Sequence, residues 1–209
     1  MLDGSRRTRA APTVVAGLPS TPGRAHVRTT SRAPLLAHRR VAVETVEVAE
    51  LSGADIGFPK GTDDEKELLL QFLGYVRGAV LRDVAGLSDE QARRRPDGKL
   101  MSLTGILNHL TRMEWRWMDG GYEGAAVSKE EAEFTPGPEL TLAAAVEAYE
   151  QRAAKTDAMV RAIPLDRIGG GWAKQHDLRF VVLHVIEETA RHAGHADATR
   201  ELLDGSTGL

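Results

Sequence analysis

Cysteine is absent from the 209 residues. That excludes a disulfide framework, a thiolate-ligated zinc, an iron–sulfur cluster and a cysteine nucleophile, so any thiol chemistry needs a thiol from outside the chain. Aromatic residues are scarce, at 5%, which argues against the base-stacking surfaces of single-strand nucleic-acid binders. No apolar run reaches the roughly eighteen residues of a membrane-spanning helix. Neither a transmembrane segment nor a membrane partner is expected, and the expected location is the cytoplasm. A basic body is missing too. Residues 1–40 hold eight arginines against one acid, Asp3, a balance of +7; the remainder holds 19 Lys and Arg against 29 Asp and Glu, or −10. An acidic body repels phosphate backbones, so nucleic acid is not an expected partner.

Residues 1–55 read as a disordered basic extension, and residues 56–209 as the folded domain. Arg, Ala, Thr, Ser, Pro and Gly dominate the extension, and such a stretch buries too little apolar surface to offset its ordering entropy. Its TVVAGL segment is too short for the apolar region of a secretory signal, and no long apolar stretch follows the Arg6–Arg7 pair. A transit-like peptide or a basic arm is the functional alternative.

The folded part reads as four amphipathic helices. Thr62-Asp63-Asp64-Glu65 resembles a capping box, and Leu69, Phe72, Leu73, Val76, Val80 and Val84 then recur at helical spacing, with Gly74 and Gly78 opposite. Ser88-Asp89-Glu90-Gln91 is a second capping box, opening a short turn that Pro96-Asp97-Gly98 ends. The next helix runs from about Ser102 to Met118, with Gly120-Gly121 as its stop. A loop over 120–140 is longer than an antiparallel pair needs and allows a crossover. Thr141 caps the third long helix, which Pro164 ends; the fourth spans about Asp177 to Leu203, with Gly205 just past its end. No segment alternates with period two, so the fold expected is an all-α four-helix bundle with a long crossover connection. Gly169-Gly170-Gly171 lacks the lysine and hydroxyl residue of a phosphate loop.

The fourth helix carries the chemistry. Stepping round its axis from Val181 at 3.6 residues per turn, Glu188 and His192 fall in a narrow arc to either side of that valine. His195 and then His184 lie a little further round, on the side of Glu188. Glu188 and His192 thus share the face of Val181 and Val185. A carboxylate there needs an arginine partner, a proton or a metal ion. Residues four apart on one face lie about 6 Å apart and can meet one cation at about 2.0–2.2 Å. A hydrogen-bonded His–Glu pair is the alternative. A third ligand must come from another helix, and His109 is the candidate; His176 precedes the fourth helix and is a further histidine near that end. Glu114 is a candidate for the shell behind the ligands.

The stretches ELLLQFLGYVRGAVLRDVAGLSDEQARRRP, NHLTRMEW and LHVIEETARHAGHADATREL resemble the DinB-like superfamily of metal-binding bundles. The resemblance spans about residues 63–205 and is near an uncharacterised DinB-like branch. It extends to the metal-binding domain of mycothiol-dependent maleylpyruvate isomerase. It implies a divalent metal held by His109, Glu188 and His192, with zinc ahead of nickel, iron or manganese. It also implies an enzyme using an external low-molecular-weight thiol, of S-transferase or isomerase type, with a small-molecule thiol and an electrophile as partners. In that reading His195 or His184 accepts the thiol proton, and Arg191 or Arg200 holds an anionic group. Trp115, Trp117, Met118 and Trp172 line a substrate mouth or simply pack the bundle ends. The alternative is a non-enzymatic metal- or ligand-binding bundle in a stress response, with a homodimer among the options.

Overall fold

The computed structural model describes residues 56–129 and 131–208, all within one compact unit. The expected basic extension, residues 1–55, lies outside the described residues. Helix α1 spans Glu65–Val84. Its N-cap is Asp64, whose side chain accepts from the backbone N–H groups of Lys66 and Glu67, satisfying donors that the first turn leaves free. Thr62 stands two residues outside, accepting from the Asp64 N–H at 3.2 Å, so the cap lies two residues later than the box expected from Thr62 to Glu65. Helix α2, Asp89–Arg93, opens on Ser88 with both arms of the capping box present. Ser102 caps α3, Leu103–Trp115; Thr141 caps α4, Leu142–Ala162; and Asp177 caps α5, Leu178–Asp204. Gly205 closes α5 at φ 81°, the left-handed conformation that glycine adopts without steric cost.

Gly120-Gly121 does not stop the second long helix. The chain continues from α3 into a π-helical segment, Arg116–Tyr122. The glycines serve close approach instead. A Cβ on Gly171 would stand 2.1 Å from the Gly120 carbonyl oxygen, and one on Gly121 would stand 2.9 Å from the Trp172 ring. Gly170 N–H donates to Tyr122 O at 2.6 Å and Ala173 N–H to Gly121 O at 2.9 Å. Carbonyls left over at the end of the widened turn thus find partners in the triglycine loop.

The main seams run α1 on α5, α3 on α4 and α3 on α5, with α1 on α4 closing the ring. Consecutive long helices therefore lie diagonally at two connections, 85–102 and 163–177. The long loop after Tyr122 joins the neighbours α3 and α4. Leu73, Val80, Ile106, Leu107, Leu110, Tyr149 and Val185 form the centre of the core. On α1 Leu73, Val80 and Val84 are buried as expected, but the buried face extends further round: Gly74 and Gly78 are buried and Phe72 is 40% exposed. Arg77 lies on this face, held inside by Glu114 at 2.9 and 2.7 Å and by Asp157 at 2.8 Å. Periodicity counts apolar residues and is blind to a buried ion pair. No described helix is long and apolar enough to cross a membrane.

Candidate metal centre

Helices α3 and α5 meet at His109 and His192, whose rings lie edge to face with centroids 4.4 Å apart. Both are buried, at 5% and 7% exposure. Glu188 stands one turn before His192, its Oε2 3.8 Å from His192 Nε2. His109, Glu188 and His192 each offer a ligand atom, and these atoms lie within 4.8 Å of one another. A single cation at about 2.0–2.2 Å from each would require only a small inward motion of the side chains.

His109 is oriented from behind. Its Nδ1 faces Glu133 Oε1 at 2.6 Å, and Arg116 grips both oxygens of Glu133, one of them at 2.9 Å. An ionised Glu133 accepts the Nδ1 proton and leaves the Nε2 lone pair free. That Nε2 is buried and has no hydrogen-bond partner. Phe134 stacks on the same ring at 4.7 Å, and Asn108 Nδ2 donates to the Glu133 carbonyl at 2.8 Å. His192 has a second orphan, its buried Nδ1. Buried nitrogens without partners are rare and call for a ligand, a water or an ion. Burial lowers the pKa of both rings against the pull of nearby carboxylates. For His192 the neighbouring His109 and His195 add to burial, and its pKa falls to about 4. Both rings are therefore neutral at neutral pH, the state in which imidazole binds a metal.

The other residues singled out in the sequence divide in two. His195 is exposed, its ring 5.3 Å from that of His192. His184 is packed against Trp117 at 4.1 Å, and Trp117 meets Trp172 at 4.6 Å. Arg191 donates to Glu188 Oε1 at 2.8 Å and also to Glu187. These surround the centre. Glu114 does not: it is fully buried, and Arg77 takes both its oxygens. Arg200 is elsewhere as well, donating to the carbonyls of Asp83 and Ala85 and pairing with Asp204. His176 stacks on Phe180 at 3.7 Å in the loop before α5. Glu133 and Arg116 do not stand out in the sequence. The available signal was Arg116, seven residues after His109 and so on the same stripe of helix, where its charge calls for an acid.

A model of the mycothiol-S-transferase family matches residues 68–205. The matched stretch contains His109, Glu133, Glu188 and His192. Among solved structures, a conserved protein from Enterococcus faecalis is similar at 15% identity and a TM-score of 0.54, covering 69% of this chain and all of that one. That likeness concerns the fold alone. No curated protein matches the chain.

Proposed function

The chain belongs to the mycothiol S-transferase family, and we propose that it is a divalent-metal enzyme that moves a low-molecular-weight thiol of the mycothiol type onto an electrophile. The observation that carries this reading is the buried, partnerless Nε2 of His109, a residue whose ligand atom lies within 4.8 Å of those of Glu188 and His192. A neutral His–His–carboxylate set suits zinc first, with nickel, iron or manganese as alternatives. When bound there, a divalent cation supplies the Lewis acidity that lowers the pKa of a coordinated thiol.

The chain's own residues do the rest. Three protein ligands leave coordination positions open, as catalytic sites do. Arg116 and Glu133 hold His109 in one tautomer and one orientation. His195, next to His192 and open to solvent, accepts the proton the thiol gives up; His184 is the alternative base. Arg191 is the arginine situated to meet an anionic group of the cosubstrate, since Arg200 is committed to the α1–α5 seam. Trp117 and Trp172 flank the approach and offer apolar surface to the electrophile. A reduced thiol cosubstrate fits a reaction in the cytoplasm.

Metal content by mass spectrometry tests the reading. About one equivalent of metal per wild-type chain, lost in both Glu188→Ala and His192→Ala, is expected. No metal in wild type after incubation with zinc and with nickel would refute it.

A further inference from the structure

Helix α5 presents more donors than one cation needs. Besides Glu188 and His192, it carries His184 and Glu187. His184, Glu187 and Glu188 each offer a ligand atom within 4.8 Å of one another. This second group shares Glu188 with the first, and the two oxygens of Glu188 face different ways. Oε2 lies 3.8 Å from His192 Nε2, whereas Oε1 lies 2.8 Å from a nitrogen of Arg191, the residue that also pairs with Glu187. His184 is held in place by Trp117 at 4.1 Å, and its Nδ1 lies 4.0 Å from Glu187 Oε2. A positive charge already sits at this point, because Arg191 bonds to both Glu187 and Glu188.

From this geometry we infer that α5 carries a second divalent-cation position, formed by His184, Glu187 and Glu188, with Glu188 as the carboxylate bridging it to the first. The inference rests on the proposed metal reading of His109, Glu188 and His192. One imidazole and two carboxylates suit a hard or borderline divalent cation such as manganese or zinc. Two cations bridged in this way lie about 3.5–4 Å apart and clamp a substrate atom between them. Arg191 is the internal competitor. A cation entering between Glu187 and Glu188 displaces the guanidinium, which is then free to meet an anionic group of the cosubstrate. The second position is therefore weaker than the first and fills after it.

Manganese titration of the metal-free, untagged full chain tests this, with free Mn²⁺ read from its electron paramagnetic resonance signal. Wild type should bind two equivalents, and the bound pair should show exchange coupling. Glu187→Gln should bind one equivalent, uncoupled, its retained first ion proving an intact fold. Arg191→Met should tighten the weaker site by about fivefold, the worth of two exposed ion pairs. One equivalent in wild type overturns the second position and leaves the first standing. Zero overturns both. Two uncoupled ions, or two equivalents still bound by Glu187→Gln, overturn the bridged assignment.

Discussion

Asp83, near the end of α1, should make the protein less stable as pH rises. It is fully buried, and among the described residues neither of its carboxylate oxygens has a well-formed hydrogen bond. Asp197 faces it from α5 and brings a second negative charge, while the Gly208 N–H, which donates to Asp197 at 2.8 Å, and Arg200 offer partial relief. Burial, and then Asp197, push the Asp83 pKa up from 3.8 to about 7. The folded state thus holds a proton that the unfolded chain releases near pH 4. Stability is full below that point and falls as pH rises through the folded value. Three units at about 1.4 kcal/mol each make about 4 kcal/mol, a large share of the roughly 5–15 kcal/mol that holds a domain together. Asn keeps the shape of the protonated acid. Asp83→Asn should be near neutral at pH 4 and more stable than wild type by about 2–4 kcal/mol at pH 8. Urea unfolding of the metal-free protein, followed by circular dichroism across pH 4–8, measures this. His192 works in the opposite sense, losing stability as pH falls toward its lowered value of about 4, so the difference between variant and wild type isolates Asp83. Parallel pH curves for the two proteins, or a less stable variant at pH 8, would refute the reasoning.

Two further substitutions probe the frame around the site. Glu133→Gln removes the charge that holds the His109 Nδ1 proton and should weaken metal affinity about 10- to 100-fold without touching the metal, as read by competition with a chelating dye. Unchanged affinity would mean that Glu133 only fills space. Arg77→Met leaves Glu114 and Asp157 without their shared partner and should cost about 3–5 kcal/mol in urea unfolding. The same variant should keep full metal stoichiometry, because that triad is separate from the candidate centre.

The helices were readable because their signals are local. Ser88 and Gln91 sit three residues apart, and that spacing alone permits the capping box that forms. Glu188 and His192 are four apart on one helix, so their shared face follows from the pitch. His109 was reachable through the family resemblance and its place at the edge of an apolar stripe. Glu133 was not, since it lies on the loop between α3 and α4, and only the fold carries it back 24 residues to His109. The end of the second long helix was not legible for a related reason. Two glycines ordinarily break a helix, but here their missing side chains make room for Val127 and Trp172.

By itself the sequence determined the number of long helices, the capping box at Ser88, the Thr141 cap, the absence of internal thiol chemistry and the stripe of α5 that bears Glu188 and His192. All of these depend on residue type and on spacings within one or two turns. Only the tertiary structure decided which charges are buried as pairs, and so which acids are free to serve a site. It removed Glu114 to Arg77, committed Arg200 to the α1–α5 seam and brought Arg116 and Glu133 behind His109. A buried charge is tolerated only where a partner meets it in space, and partners drawn from different helices and loops have no fixed separation along the chain.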